Sequence, residues 1–598
     1  MINNYTPNLC RDAVCISNDV RNSAIISSYF NKPRQYFAVF SSPRELDIVR
    51  RREVVFVNNI IAKINPKWIL LSNLDEKVRD DFLKKFPSER VIIIDFEEEI
   101  KEKLKNVITQ PTNNVFCREN DIAKGLLFAK NQNAKLIIDN SAKDINKFTT
   151  NRHLVFLDDF SGVVPTITAN YAYSIGASIA IGKEYKREIV EDICESFLVS
   201  RIYRGHERGL IAEKKIKDTA NLLDIQSILS NFDFITFITN GIPYGYFAPY
   251  LPCTHIFSLS NIGVTLAESM FYAKYINYIR SVLVIDPGFF KNSETNYVLQ
   301  PFRNSGSYVR SLIGKNATVY QTRMHIQYFP YDLLFICTHA GKVSGKRYKI
   351  QIEDQDGKSH IVVIDMVFEY TKPPGEITDD TKLEVIDQRI FIEFDGKEWN
   401  KSNQKDFNWA EGSFFKTFMN TTPSQWNVID QYDISYVKNS FRIECIDGFC
   451  VFALQELADL ENPFIFNNSC SSFHSIAAQC LYAGAISYIG TIFPVKDNDA
   501  KIIAKKVFSN TNDSTPLAFK IWEAQNFVYK NTADRPYINI GCHFLAINTS
   551  EKNIKKSLPK RISISLKNRK RMLEMQNCSK EEKDHIESVI NFLEFLTL

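Results

Sequence analysis

Residues 463–472 have the sequence PFIFNNSCSS, in which a short apolar run ends in small polar residues around Cys470. A run of this length, bounded by turn residues, is typical of a strand buried on both faces of a sheet. A second such strand, Tyr331–Thr338 (YDLLFICT), is followed directly by His339. Two predicted strands therefore each carry a chemically reactive side chain just beyond their carboxyl ends.

These two side chains form a pair with a clear chemical use. The carboxyl ends of parallel strands meet at one edge of a sheet, so we expect Cys470 and His339 to share one crevice. A nearby imidazole lowers the pKa of a thiol and takes its proton, which yields the thiolate that attacks a carbonyl carbon. Small neighbours, among them Gly341 and Ser471, would let a peptide backbone approach and leave N–H groups free for an oxyanion.

Strand and helix patterns alternate on both sides of this pair. Helical spacing in Asp75–Phe86 is followed by the apolar run Val91–Asp95, and helix Ser475–Ala483 is followed by strand Ile486–Phe493. Such alternation favours a parallel sheet with helices packed on it. The predicted fold class is therefore α/β.

Residues 342–455 break the alternation. Asp356-Gly357 and Asp447-Gly448 each lie between two β-type runs, which is the signal for a hairpin. We therefore predict a mostly antiparallel β insertion over about 342–455. The expected segments are an N-terminal α/β domain (1–150, its end placed near Thr149), a second α/β region (151–300), a domain carrying the Cys and His with the insertion (301–548), and a basic segment with a C-terminal helix (549–598).

Composition excludes several protein classes. The chain has 598 residues, 44% hydrophobic and 24% charged, which is typical of a globular protein and not of a disordered or collagenous one. Its 73 basic and 69 acidic side chains leave a net charge of +4, which gives no indication of a nucleic-acid partner. The basic segment near the C-terminus lacks interleaved aromatic residues, so we expect it to be a solvated face.

Targeting signals are missing from the pattern as well. No run approaches the 18 apolar residues of a membrane span. The first 25 residues lack the basic start and apolar run of a secretion signal. We therefore expect a cytoplasmic protein without membrane contact, whose 12 cysteines are not paired as a disulfide framework.

Cofactor motifs are incomplete wherever they occur. Gly341–Arg347 (GKVSGKR) is one residue too short for a phosphate-binding loop and ends in Arg. Cys253-x-His255 and Cys542-His543 each lack the second pair that a zinc site needs. The G-x-S-x-G motif of serine hydrolases does not occur in the sequence. We therefore expect no cofactor and no metal.

The sequence around Cys470 resembles a known family. The run 468–472, followed by LYAGAISYIGTIFPVKD at 481–497, is similar to the CHAT family of caspase-like cysteine peptidases, which are relatives of separase. Leu333–Gly341 resembles the strand that carries the family's catalytic His. Leu517–Val528 and Tyr537–Ala546 resemble its closing helix and strand. The resemblance covers roughly residues 300–548 and implies a caspase-like sheet-and-helix protease domain.

The resemblance implies a role for each residue of the pair. The nucleophile falls on Cys470 and the general acid and base on His339, with the backbone N–H groups of Gly341 and Cys470 as oxyanion donors. Ala340 departs from the family pattern because the family's His is followed directly by Gly. His474, one helical turn after Cys470, is the alternative partner for the thiol.

The function implied is a cysteine endopeptidase acting on a protein or peptide substrate. Bacterial members of the family act as regulated effectors, including in antiviral defence, so we expect a partner protein or signal to act through residues 1–300. That region could be a sensor, a docking module or a degenerate protease-like half. The alternatives to an enzyme are a non-catalytic regulatory or scaffold protein and, less favoured because no phosphate motif is present, a nucleotide sensor.

Two acidic residues follow the strand beside Cys470. In separase-like relatives an Asp at this place lines the primary pocket, and the resemblance puts that role on Asp497, with Asp499 beside it. A carboxylate there would bind an Arg or Lys of the substrate by charge-assisted hydrogen bonds. Two alternatives stay open: Asp497 could instead be the N-cap of helix Ala500–Phe508, and Lys496 could neutralise the pocket.

Overall fold

The computed structural model describes residues 5–43, 47–143, 152–185, 187–223, 232–258, 261–291, 294–341, 343–353, 357–371, 384–398, 425–434, 440–452, 456–473, 475–530, 534–549, 557–574 and 580–596, together with residues 418, 421, 437 and 532. The expected end of the first domain near Thr149 and the alternative dyad residue His474 lie outside the described residues.

The N-terminal part is a small α/β unit. Its strands are β1 Asn8–Leu9, β2 Ala13–Ser17, β3 Gln35–Tyr36, β4 Val39–Ser41, β5 Trp68–Ser72, β6 Val91–Ile94, β7 Asn113–Cys117 and β8 Ala134–Ile138. Its helices are Val20–Tyr29, Asp47–Ile64, Glu76–Leu83, Ile100–Lys103 and Ile122–Asn131. Four strands form a parallel sheet in the order β4-β2-β5-β6, as the alternation predicts.

The next part contributes two sets of strands to one large sheet. The first set is β9 His153–Leu157, β10 Ser178–Ile181, β11 Phe234–Thr239 and β12 Cys253–Phe257, with helices Val164–Ile175, Arg187–Ile202, Glu207–Leu223, Tyr244–Phe247 and Ile262–Phe271. The second set is β13 Ser281–Asp286, β14 Tyr308–Ile313 and β15 Leu333–Ile336, with helices Thr295–Asn304 and Val319–Tyr328.

The antiparallel insertion is confirmed. Its strands are β16 Ala340–Gly341, β17 Gly345–Glu353, β18 Ser359–Thr371, β19 Glu384–Phe394, β20 Lys397–Glu398, β21 Asn427–Ile434, β22 Arg442–Cys445 and β23 Gly448–Val451. Strands β17–β21 form one antiparallel sheet around a small core of its own, and β16, β22 and β23 form another. The hairpin predicted at Asp447-Gly448 joins β22 to β23.

The α/β pattern returns after the insertion. The remaining elements are β24 Phe464–Asn467, β25 Ser487–Thr491 and β26 Tyr537–Ile540, with helices Ser475–Tyr482, Asp497–Phe508, Leu517–Val528, Ser557–Glu574 and Lys580–Phe595. Ten of the described strands form a single mixed sheet in the order β10-β9-β11-β12-β26-β25-β24-β15-β13-β14. The predicted α/β fold class with an antiparallel insertion is therefore confirmed.

The large sheet consists of two halves that run in opposite directions. The half with β24 and β25 is parallel, and β26 pairs with β25 in the antiparallel sense. Strand β26 is parallel to β12, and their pairing rests on one residue pair, His255 with Ile540. The sheet also crosses the boundary expected near residue 300, because β13 pairs directly with β15.

The N-terminal unit packs closely onto the large sheet. Gly263 lies in the first turn of helix Ile262–Phe271, and a side-chain Cβ there would collide with the main-chain carbonyl of Val39 in β4. Buried residues from the N-terminal unit and from one face of the large sheet belong to one continuous hydrophobic core.

The C-terminal basic helix is not the solvated face that its charge pattern suggested. Arg561 pairs with Glu461 at 2.8 Å and with Asp332 at 3.5 Å, and its side chain is 10% exposed. Arg569 pairs with Glu456 at 2.7 Å. Two of the basic side chains therefore fix this helix to the body of the protein. Among the described residues, no helix has the length and apolar character needed to cross a membrane.

Candidate active site

The two candidate catalytic residues follow neighbouring strands in register. Strands β15 and β24 are parallel, and their last residue pair joins Ile336 to Asn467. His339 and Cys470 each lie three residues beyond this pair, and neighbouring strands are about 4.8 Å apart. The structure thus brings both residues to the same edge of the sheet, as the sequence predicts.

The turn that carries Cys470 is held by strand β25. The Ser472 hydroxyl donates to the Asn467 carbonyl at 3.0 Å and accepts the Thr491 backbone N–H at 3.0 Å. The Thr491 hydroxyl donates to the Ser469 carbonyl at 2.9 Å. Ser471 has a φ of +51°, a left-handed conformation that a non-glycine residue rarely adopts. The turn is therefore sharp and fixed on both sides of the thiol.

The buried Glu294 carboxyl also holds the turn of Cys470, through a hydrogen bond to Asn468. The Asn468 amide donates to Glu294 at 2.5 Å and accepts the Tyr537 hydroxyl at 2.6 Å. Burial raises the pKa of Glu294, which is 4% exposed. Sequence reasoning missed this carboxyl because Glu294 precedes helix Thr295–Asn304, far from both reactive residues in the chain.

The Cys470 thiol contacts a backbone carbonyl and not the His339 imidazole. Cys470 Sγ donates to the Val495 carbonyl at 3.7 Å, a long contact typical of sulfur. Burial raises the pKa of the Cys470 thiol, and the nearby Asp497 carboxylate raises it further. No hydrogen bond joins Cys470 to His339 among the described contacts. This arrangement therefore favours the neutral thiol.

Two aromatic rings contact the exposed imidazole of His339. Phe289 stacks against it at 5.7 Å between ring centroids, and Phe290 meets it edge-on at 4.8 Å. Both follow β13, the strand on the other side of β15. The His339 carbonyl also accepts the Glu444 N–H at 2.8 Å, which ties this segment to the β16–β22 pairing.

The phenylalanine pair was missed by sequence reasoning. Its signal was present, since Phe289 and Phe290 directly follow the buried run SVLVIDPG at 281–288. The third candidate residue of this edge, Gly341, is partly exposed, and no atom of the described residues beyond its chain neighbours lies within 4 Å of a Cβ built there. The described part of the chain therefore leaves open space at this position.

Asp497 lies close enough to Cys470 to affect the thiol's pKa and is exposed to solvent. Helix Asp497–Phe508 has Lys496 as its N-cap residue, so the alternative in which Asp497 caps the helix is wrong. Asp499 is half-buried, and its charge adds to burial in raising the pKa values of Tyr529 and Tyr537.

The two cysteine–histidine pairs do not form metal sites in the described part of the chain, where no group of three metal-ligating side chains occurs. His255 accepts the Gly245 N–H at 3.0 Å through Nε2 and contacts the Asn539 carbonyl through Nδ1 at 2.9 Å. His543 bonds the Tyr171 hydroxyl at 2.8 Å. Both imidazoles are buried, and burial lowers their pKa values.

Comparisons with known proteins add little to this geometry. No family model matches the chain, and no curated protein matches it. The chain has a structural similarity to the Arg specific cysteine proteinase gingipain R (RGPB), whose crystal structure aligns with a TM-score of 0.32 and 8% identity over 67% of this chain and 79% of that chain. A TM-score this low supports no argument about fold or chemistry.

Proposed function

We propose that the chain is a cysteine endopeptidase of the caspase and separase type, with Cys470 as nucleophile and His339 as general acid and base. The observation that supports this most directly is the pairing of β15 with β24, after which both side chains follow at the same distance from the last residue pair. The resemblance to the CHAT family assigns the same two residues.

The proposed reaction proceeds in two halves. His339 accepts the thiol proton, and Cys470 Sγ attacks the scissile carbonyl carbon. The backbone N–H groups of Gly341 and Cys470 stabilise the oxyanion of the tetrahedral intermediate. His339 then protonates the leaving amine, the C–N bond breaks and a thioester remains. A water molecule, deprotonated by His339, hydrolyses the thioester and regenerates the thiol.

Catalysis requires a rearrangement of the resting site. The thiol must leave the Val495 carbonyl and turn towards the imidazole, because proton transfer needs hydrogen-bond contact. This requirement suits an effector that is switched on by its substrate, by a partner protein or by a signal acting through residues 1–300. We infer a cytoplasmic site of action, in keeping with the free cysteines of the described chain.

A peptide electrophile tests the proposal directly. The chain has 12 cysteines, and only a thiol activated beside a substrate groove should react fast with an acyloxymethyl ketone peptide. We expect mass spectrometry to find the adduct on Cys470 alone. Slow labelling spread over several cysteines would instead favour the non-catalytic scaffold, which the neutral thiol bonded to Val495 also suits.

The substrate residue before the cut is proposed to be Arg or Lys. Asp497 is exposed near the thiol and carries the carboxylate for such a side chain. We expect Asp497→Asn to lower kcat/KM for Arg peptides by about 10–100-fold, since a hydrogen bond to a charged group contributes roughly 1.5–3 kcal/mol. A positional-scanning peptide library measures this, with Asp499→Asn as the matched variant. A wild-type preference for Asp over Arg would refute the basic specificity.

A further inference from the structure

A cavity lies at the seam between the two halves of the large sheet. It is bounded by β12, β26, helix Leu517–Val528 and the segment 245–251. The seam is weakly closed here, because β12 and β26 share one residue pair. The cavity therefore lies where backbone pairing between the halves is sparse, and none of the groups assigned to catalysis lines it.

One wall of the cavity carries a buried positive charge. Arg535 is 4% exposed and lines the cavity. Its guanidinium donates to the Pro249 carbonyl and lies 5.3 Å from the centre of the Tyr250 ring, but it forms no ion pair with any residue that the structure describes. The neighbouring carboxylate, Asp534, bonds Arg201 and Tyr246 instead. Burial lowers the pKa of Arg535, as expected for a desolvated charge without a counter-ion.

Unused hydrogen-bonding atoms belong to the same lining. Arg535 Nε and Trp522 Nε1 are buried, and neither has an acceptor among the described residues. Asn539 Oδ1 has no donor in the same part of the chain, although Asn539 Nδ2 donates to the Thr254 hydroxyl at 2.8 Å. Buried polar groups nearly always have partners. Three such atoms around one cavity therefore indicate a ligand that supplies two acceptors and one donor.

We propose that this seam cavity binds a small oxyanion, a carboxylate or phosphate group, through Arg535 and Trp522, with a hydroxyl or amino group of the same ligand donating to Asn539. A guanidinium and an indole N–H are both donors, and a guanidinium matches the geometry of an oxyanion. A buried charge is costly unless it is paired, so the anion would remove an unfavourable feature of the empty protein.

The bound anion would act on the geometry near the candidate active site. The Pro536 carbonyl, next to Arg535, accepts the Ile492 N–H at 2.9 Å at the carboxyl end of β25. Strand β25 also holds the turn of Cys470 through Thr491. Binding at the seam therefore fixes a segment that is linked to the thiol by two hydrogen bonds, and it does so whether or not the thiol is catalytic.

Thermal unfolding of the full chain tests the proposal with simple probes. The midpoint is measured against increasing inorganic phosphate or acetate, with chloride keeping the ionic strength constant. We expect a saturable rise with at least one anion, phosphate alone indicating a phosphate ester ligand and acetate alone a carboxylic acid. No saturable rise with either anion would overturn the site.

Variants separate specific binding from a general salt effect. Arg535→Gln should abolish the saturable rise, and Trp522→Phe should weaken the apparent affinity about tenfold, because it removes one N–H donor. Arg152→Gln removes an exposed charge paired with Asp233 and should leave the rise intact. An unchanged response in Arg535→Gln would overturn the proposal. If that variant does not fold, an unchanged affinity in Trp522→Phe would do so.

Discussion

The two halves of the large sheet have the same strand order but differ at their carboxyl ends. Counted along the chain, both halves place their first four strands in the order second, first, third, fourth: β10-β9-β11-β12 and β14-β13-β15-β24. The third and fourth strands of one half lead to His339 and Cys470. The equivalent strands of the other half lead to Asn240 and Ser258.

The half without the thiol uses its carboxyl ends for internal bonding. Asp158, which follows the first strand, accepts the Tyr244 hydroxyl at 2.6 Å and the Thr239 hydroxyl at 2.9 Å. Ser258 donates to Asp159. The aspartates and the threonine are buried, whereas His339 is exposed. Strand order alone thus creates a place for chemistry, and accessible reactive side chains are needed to use it.

The sharpest test of this comparison replaces the residues that follow the fourth strand of each half. We expect Cys470→Ala to reduce peptide cleavage to background while the circular dichroism spectrum stays native, because the change removes the nucleophile but little packing. Ser258→Ala in the other half should retain kcat/KM. Cleavage by folded Cys470→Ala would show that the halves do not differ in the way proposed.

The residues that follow the third strands provide the next test. His339→Ala should lower kcat by about 10²–10⁴-fold, the usual contribution of general acid–base catalysis. Asn240→Ala, at the carboxyl end of the third strand of the other half, removes a hydrogen bond to the Tyr185 carbonyl and should leave kcat unchanged. A greater loss in His474→Ala than in His339→Ala would assign the proton transfer to the alternative histidine.

The buried Asp158 of the half without the thiol should make the stability of the protein depend on pH. Burial raises the pKa of Asp158 to about 7, whereas an unfolded Asp titrates near 3.9. The folded state therefore binds more protons between these values, and stability falls as pH rises from about 4 to 7. In Asp158→Asn we expect the free energy of unfolding to decrease less over this pH range than in the wild type, by on the order of a few kcal/mol. Urea unfolding of the wild type and of Asp158→Asn at pH 5 and pH 7.5 measures the difference. An equal change in the free energy of unfolding between the two pH values in both proteins would contradict the prediction.

The sequence identified the local elements of the site better than their assembly. Apolar runs and turn residues sufficed to predict β15, β24 and the hairpin at Asp447-Gly448, because periodicity and turn chemistry are local properties. The contact of β26 with β12 could not be predicted, since it depends on pairing between distant segments. The ion pairs of Arg561 were missed for the same reason, because its acidic partners lie far from it in the chain.

The single residue pair between β12 and β26 has a consequence for synthesis on the ribosome. His255 and Asn539, which are in contact across this seam, are separated by 284 residues. At about 5–20 residues per second, β12 waits roughly 15–60 s after its own emergence before its partner strand exists. During that time its buried run Thr254–Phe257 forms the open edge of a nascent sheet. During translation the seam therefore presents an unpaired strand edge, which is the kind of surface that chaperones protect.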